Sequence, residues 1–370
     1  MKLHVIQAEY GDCLLLTSGM GKNSTAILID GGPYQTFDKH LKPTLQKLPK
    51  NGKLDLVILS HIDNDHIIGL VDLFGQIKDE KEKGLKELVK ISKLWHNSFN
   101  DLLQIDEDPN TFFKNSFLSL NFGSEDEKKK MQNSITSIIM TGFQQASDLS
   151  SLAKSLKVPI NPEFDKLILT GNVPKIIKLN DITFHILGPS KKNLEKLRKQ
   201  WRDWRNKKKI HHEHVFDLFQ ILDKSVPNLS GIILLAESNN KKILFTGDGS
   251  GDDVINALLK DSMLDNQGKC HVDILKLPHH GSDRNVTPDF FNKVTADYYV
   301  ISANGRDDNP SFNTLKWTIE SGNKTKKSKT IVFTNRTPNI VKILKQYDQK
   351  KYNYACIFLE GKEDYLTLNL

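Results

Sequence analysis

The sequence predicts an α/β fold whose chemistry collects at strand ends, and three observations carry that expectation. A nearly continuous apolar run, Leu54 to Ser60 with only Asp55 interrupting it, fits a strand buried on both faces, and it leads into Ser60-His61-Ile62-Asp63-Asn64-Asp65-His66. The second half repeats a strand–turn–helix rhythm, so that Thr246-Gly247-Asp248 and Pro278-His279-His280-Gly281-Ser282 each follow a strand. The 370 residues are 38% hydrophobic and 26% charged, enough apolar material for a sizeable core and too much for a disordered chain.

The elements follow in order. Lys2 to Ala8, Cys13 to Thr17 and Thr25 to Ile29 read as short strands separated by turn chemistry at Tyr10-Gly11-Asp12 and around Gly19-Met20-Gly21, and Asp30-Gly31-Gly32-Pro33 stops the third. Ile67 to Phe74 opens a helix. From 76 to 170 charged helical stretches (Lys78 to Lys90, Glu125 to Leu156) surround a polar loop without a motif, and the segment reads as a helical insertion or cap. Strands are expected at Lys166 to Leu169, Val173 to Lys178, Ile182 to Leu187, Leu229 to Ala236, Lys242 to Phe245, Val272 to Leu277, Tyr298 to Ser302 and Thr330 to Thr334. Helices fit Asp252 to Lys260, Pro288 to Val294 and Phe312 to Ser321.

Charge is unevenly placed. Residues 191–209 hold ten basic side chains against Glu195 and Asp203, so this segment alone accounts for the net +7 of the whole chain. Leu194, Leu197, Trp201 and Trp204 fall on one helical stripe, which makes 190–225 a second, basic amphipathic insertion. Two readings stand. The tryptophans stack bases while Lys199, Arg202, Arg205, Lys207 and Lys208 track phosphates, or the stripe faces a core and the cations are merely solvated. Apolar runs such as Gly231 to Ala236 are too short to span a membrane, and the first residues have no apolar leader segment, so no membrane contact and a cytoplasmic location are expected. Cys13, Cys270 and Cys356 are too far apart for a disulfide framework or a cysteine zinc site.

The densest chemistry is His61, Asp63, Asp65 and His66, four metal-competent side chains within six residues after a buried strand. Imidazole nitrogen with carboxylate oxygen suits zinc, manganese or iron. Asp248 is a carboxylate delivered past a glycine; alone it also fits a turn or helix cap. His279 and His280 are adjacent and pinned between Pro278 and Gly281, which fits a site better than a core.

Together these pieces resemble the metallo-β-lactamase fold, and specifically the branch containing the nuclease-like domain of the DNA-uptake protein ComEC. The resemblance rests on residues 5–16, on Leu28-Ile29-Asp30-Gly31-Gly32, on the Ser60-to-His66 block, on Thr246-Gly247-Asp248 and on Leu275-Lys276-Leu277-Pro278-His279-His280-Gly281-Ser282, with weaker support at Ile301-Ser302 and Asn309-Pro310-Ser311. It implies one αββα sandwich over residues 1–370, interrupted by the two helical insertions, with one or two divalent metals, Zn or Mn, at one edge. It implies that His61 and Asp63 hold a first metal, that Asp65, His66 and His279 hold a second, and that Asp248 bridges them. Asp30 then orients the ligand loop, Lys276 lies near the substrate phosphate, and His280 contacts the leaving group.

Two departures matter. Asp63 stands where most members of the fold carry histidine, which makes the first site harder and more tolerant of manganese. The wider fold also draws a first-site histidine from between the main block and Gly247-Asp248, and none is evident here. His185 sits inside a strand pattern, Gly188 occupies the place where relatives carry histidine, and His211, His212 and His214 read as surface residues. The first metal is therefore expected to be weakly held, or the site mononuclear.

The expected activity is metal-dependent hydrolysis, with a metal lowering the pKa of bound water from 15.7 to about 7. The basic helix favours a nuclease or phosphodiesterase acting on DNA or RNA. The alternatives are a small-molecule hydrolase (lactone, thioester, β-lactam or cyclic nucleotide), or an effector subunit inactive until a protein partner docks on the insertions, as a phage-defence nuclease sparing host DNA would require.

Overall fold

The computed structural model describes residues 1–19, 24–104, 145–171, 176–205, 229–321, 328–359, 361 and 363–370. Two sheets face each other. The first runs in the order β16-β1-β2-β3-β5-β7, built from β1 (Lys2–Ile6), β2 (Leu14–Ser18), β3 (Thr25–Ile29), β5 (Leu56–Ile58), β7 (Leu94–Trp95) and β16 (Tyr365–Asn369). The second runs β15-β14-β13-β12-β11-β10-β9-β8, from β8 (Ile176–Leu179), β9 (Ile182–Gly188), β10 (Ile233–Ser238), β11 (Lys241–Phe245), β12 (Cys270–Lys276), β13 (Val294–Ile301), β14 (Lys329–Phe333) and β15 (Tyr354–Phe358). A two-residue pair, β4 (Lys53–Leu54) with β6 (Lys90–Ile91), lies beside the first sheet's edge.

Side-chain alternation explains the layering. In β3 and β5, Ile27, Ile29, Leu56 and Ile58 point between the sheets, where they meet Phe184, Leu234, Ile243, Phe245 and Ile274. Their neighbours Ala26, Leu28, Val57 and Leu59 face the other way, against α2 (Asn64–Glu82) through Ile67, Leu70, Leu73 and Phe74. On the far face of the second sheet, Leu244, Leu275, Tyr299 and Phe333 pack with Val254, Leu258, Phe290, Leu315 and Ile340 from helices that follow the strands. Strands covered on both faces read as continuous apolar runs, which is why the Leu54-to-Ser60 segment looks as it does.

Parallel pairing then places the chemistry. β3 pairs parallel with β5, and β11, β12 and β13 are parallel to one another. The segments after these strands therefore leave at one edge, where parallel sheets gather functional groups. A backbone bond joins the two sheets there, from Ile232 N to Ser60 O at 2.9 Å, and another, from Asp12 N to Asp65 O at 3.1 Å, ties the turn after β1 to the first turn of α2. α2 reaches the turn after β3 because two glycines meet. A Cβ on Gly69 would lie 2.0 Å from Gly31 O, so neither position tolerates a side chain.

Several elements differ from expectation. The basic stripe turns inward: in α4 (Lys191–Arg205), numbered after α1 (Lys42–Lys47) and α3 (Phe99–Leu103), Leu194, Leu197 and Trp201 are buried in the core against α2. Trp201 thus cannot stack bases, whereas Lys199 and Arg202 are exposed. Arg198 is spent internally, its Nε donating to Leu102 O at 2.7 Å. The side chains of Trp204 and Arg205, with Lys207 and Lys208, lie outside the described residues, as does most of the expected cap. No strand forms over 166–169, while β6 and β7 arise within the segment expected to be helical and loop. Those strands are two residues long, too short to show alternation. β15, β16 and a helix at Pro338–Gln346 were also unannounced, and β16 returns to pair with β1. The cysteines are free thiols. Among the described residues no helix is long and apolar enough to cross a membrane.

His96 follows β7 and gives a measurable consequence. Its ring is buried and neither nitrogen has a hydrogen-bond partner. Burial pushes its pKa from 6.5 down to about 4. Between those values the unfolded chain binds a proton that the folded chain refuses, so stability falls as pH drops through this window. The loss approaches about 3 kcal/mol at the lower end. Urea unfolding of wild type and His96→Leu at several pH values checks this: the variant should lose that part of the acid sensitivity, and an unchanged pH profile contradicts it.

Candidate metal centre

The block after β5 is organised by Asp30, whose residue adopts a left-handed backbone at the end of β3 (φ 59°). Its Oδ1 accepts from Ser60 N at 2.7 Å, and its Oδ2 accepts from Ser60 Oγ at 2.7 Å and from His66 Nδ1 at 2.9 Å. Ser60 Oγ in turn accepts from His61 Nδ1 at 3.0 Å. Both histidines thus hold their proton on Nδ1, and both Nε2 atoms point onward without a hydrogen-bond partner. Asp63 caps the N-terminus of α2 and Asp65 sits in its first turn. Asp30 thus contacts His66 directly and His61 through Ser60, the block that the resemblance expects it to orient.

Asp248 arrives from the opposite sheet, and its buried carboxylate lies at the centre. Oδ2 is 3.5 Å from His61 Nε2 and 3.7 Å from His279 Nε2; Oδ1 is 3.5 Å from His66 Nε2 and 3.8 Å from His280 Nε2. Asp63 Oδ2 stands 3.6 Å from His61 Nε2. Asp65 Oδ2 stands 3.1 Å from His280 Nε2 and 3.8 Å from His66 Nε2.

The expected ligand set is therefore brought together, with one rearrangement: His280 faces Asp65 and His66, and His279 lies on the His61 side of Asp248. The sequence reading put His279 with Asp65 and His66, and His280 at the leaving group. Two consecutive left-handed residues cause the difference, His279 at φ 48° and His280 at φ 55°, because they aim successive imidazoles to opposite sides.

Lys276 does not lie where substrate could reach it. It is buried, its Nζ donating to Asp12 Oδ2 at 2.7 Å and to Leu277 O at 3.0 Å. Asp12 Oδ1 is 3.6 Å from His280 Nδ1, and that nitrogen donates to Ser302 O at 3.0 Å. Lys276 thus neutralises a carboxylate beneath His280 and acts through packing. Asp12, Ser302 and Asn285 were missed as site residues. Asp12 lies in a turn within the block that carries the resemblance, without a role there, and Asn285 carries no sequence signal at all.

Electrostatics follow from this crowding. Burial opposes charge throughout, yet the Asp248 and Asp63 carboxylates raise the His61 pKa well above its ordinary value, and Asp248 and Asp12 do the same for His280. Against its own burial, Asp248 is held well below the usual carboxylate range by His61, His279, His280 and His66. Burial raises Asp63.

The residues fit a divalent cation. His61 Nε2, His66 Nε2, His280 Nε2 and Asp248 Oδ1 are buried and without hydrogen-bond partners. In each of the sets His61, His66, Asp248 and Asp65, His66, His280 the ligand atoms lie within 4.8 Å of one another. Unpaired buried polar atoms of this kind are costly unless something binds them.

The structural role of Lys276 is testable by urea unfolding. Lys276→Met should cost about 3–5 kcal/mol by leaving Asp12 buried and unpaired. Lys276→Met combined with Asp12→Leu should recover much of that loss. A Lys276→Met protein of normal stability but impaired substrate binding would restore the phosphate-contact role.

Residues 7–142 match the sequence model of the Metallo-beta-lactamase superfamily. No curated protein sequence matches the chain. Among solved structures, the metallo-beta-lactamase fold protein YhfI of Bacillus subtilis is similar at 12% identity, 99% coverage of this chain, 98% of its own and a TM-score of 0.40. Zn(2+)-bound PqqB from Methylobacterium extorquens is similar at 7% identity, full coverage of both chains (100% each) and a TM-score of 0.40. A diphosphatase of the PhnP family is similar at 11% identity, 100% and 97% coverage, and a TM-score of 0.39. Likeness at this level carries no information about substrate. The two facing sheets with the candidate ligand edge between them are the metallo-β-lactamase fold, and residues 7–142 carry the similarity to that superfamily's sequence model.

Proposed function

We propose that this protein is a metal-dependent phosphodiesterase acting on nucleic acid, on the ComEC-like branch of its superfamily. The observation that carries the reading is a cavity of about 530 Å³ lined by Lys192, Asn193, Lys196, Leu229, Ser250 and Asp253. Ser250 lies two residues past Asp248, so the first turns of the basic helix border the approach to the centre. Lys192 and Lys196 are exposed there, and Lys199 and Arg202 continue the basic face. An exposed basic helix face that shares a cavity with the segment after Asp248 suits a chain of phosphates better than a small neutral ester.

His61, Asp63, Asp65, His66, Asp248, His279 and His280 would hold one or two divalent ions, manganese or zinc, which supply water activation and charge neutralisation at phosphorus when bound. The chain's own residues do the rest. Asp30 and Ser60 fix the rotation of His61 and His66, so the ligand atoms are set before substrate arrives. Asp63 and Asp65, partly exposed, form the lip that substrate meets. Lys192 and Lys196 bind flanking phosphates and fix the register of the strand, without touching the reacting atoms.

Wild type, Asp248→Ala and Lys192→Ala/Lys196→Ala should be assayed with Mn²⁺ or Zn²⁺ on single- and double-stranded DNA and RNA. Wild type should cleave and Asp248→Ala should not. The lysine variant should keep its kcat, raise KM roughly tenfold or more, and lose roughly two from the slope of log K against log salt, about one per phosphate contact. Hydrolysis of small esters with no action on polynucleotide would overturn the nuclease reading, and activity appearing only with an added protein partner would replace it with a conditional effector.

A further inference from the structure

We infer that His279 supplies the first-site imidazole that the intervening sequence lacks, and that the half-site it completes is the faster to exchange its ion. The inference rests on the reading above that this cluster binds metal, and it names which histidine belongs to which ion.

Asp248 divides the imidazoles evenly. His61 and His279 approach Oδ2 at 3.5 and 3.7 Å, while His66 and His280 approach Oδ1 at 3.5 and 3.8 Å. Each half then has two imidazoles, one terminal carboxylate (Asp63 or Asp65) and one oxygen of Asp248. The donor sets are chemically equal, so donor type cannot distinguish the halves.

Proton placement points the same way. His279 Nδ1 lies 2.8 Å from Asn285 Oδ1, and Asn285 Nδ2 donates to Asp248 O at 3.1 Å. Because that amide's nitrogen is committed as a donor, its oxygen accepts the His279 Nδ1 proton and leaves Nε2 with a free lone pair toward Asp248. A ligating histidine commonly shows this arrangement, its other nitrogen tied to an oxygen. One side chain, Asn285, thus fixes both His279 and the loop that carries Asp248.

Backbone strain adds an independent sign. A left-handed backbone is unfavourable for a non-glycine residue, and His279 and His280 adopt it in succession at φ 48° and 55°. His279 N donates to Gly247 O at 3.1 Å, which holds the turn against the Asp248 loop. One strained residue would suffice to present one histidine; two present both. No other described histidine competes for the place. His185 lies in β9, 3.7 Å from Glu237, whereas His279 Nε2 lies 3.7 Å from Asp248 Oδ2.

The halves differ in access to water. The His279 and Asp63 side chains are 34% and 30% exposed, against 0% for His66, 5% for His280 and 22% for Asp65. An ion held by His61, Asp63 and His279 therefore meets solvent and chelator first.

The test is Mn²⁺ titration by calorimetry on full-length, chelator-stripped protein, followed by metal analysis during timed chelator exposure, with circular dichroism confirming that each variant folds. Wild type should bind two equivalents and release one quickly and one slowly. His279→Ala and the milder His279→Gln should bind one, with only the slow phase left. The double variants decide the pairing: His61→Ala/His279→Ala and His66→Ala/His280→Ala should each retain one equivalent, and His279→Ala/His280→Ala, which damages both halves, should bind neither ion stoichiometrically. His279→Ala retaining two equivalents, or His61→Ala/His279→Ala binding none, would overturn the assignment while leaving the metal reading intact. Wild type binding no Mn²⁺ or Zn²⁺ would overturn the metal reading itself.

Discussion

Asp248 carries a full negative charge almost wholly withdrawn from water, and the architecture around it is the answer to that constraint. An isolated buried carboxylate would take a proton and lose its charge. Four imidazoles within 3.8 Å hold it ionised, two on each oxygen. Three of those imidazoles are buried and His279 is about a third exposed, and each is fixed through Nδ1 by an oxygen: Ser60 for His61, Asp30 for His66, Asn285 for His279 and Ser302 for His280. The result is a carboxylate ringed by four oriented imidazoles, whose charge is balanced by protons held on those rings or by divalent cations in their place.

The scaffold meets this demand by bringing two sheets together at one edge. Parallel strands β3 and β5 deliver Asp30 and the His61-to-His66 block, while β11, β12 and β13 deliver Asp248, the two strained histidines and Ser302. The close approach of Gly31 and Gly69 seats the first turn of α2, and with it His66, against the turn after β3. Beneath His280, the buried Lys276–Asp12 pair supplies charge that the outer ligands do not. The resemblance implied that this lysine lies near the substrate phosphate; its buried pairing with Asp12 makes it structural instead.

How much was legible follows from the physics of each feature. The layered α/β fold, the strand ends and the residues of the candidate cluster were readable because buried strands have long apolar runs and clustered histidines have few structural uses. The pairing of His279 and His280 with particular oxygens was not, because it depends on two backbone dihedrals that a His-His dipeptide does not announce. Asn285 acts through two side-chain hydrogen bonds, to His279 and to Asp248 O, that no sequence pattern announces, and Ser302 acts through its backbone oxygen, which any residue could supply. The tryptophan stripe left two readings open, and packing settled Trp201 as core. The short β7 and the returning β16 were invisible for want of alternation or of a strand-like neighbour in sequence.

The most direct test of the account is anomalous diffraction from crystals loaded with Mn²⁺. Two peaks should flank Asp248, one beside each carboxylate oxygen and roughly 3.5–4 Å apart, the spacing of two-metal sites. A fully loaded crystal with no peak at Asp248, or with one ion bound away from both of its oxygens, would contradict the claim that this carboxylate organises the centre.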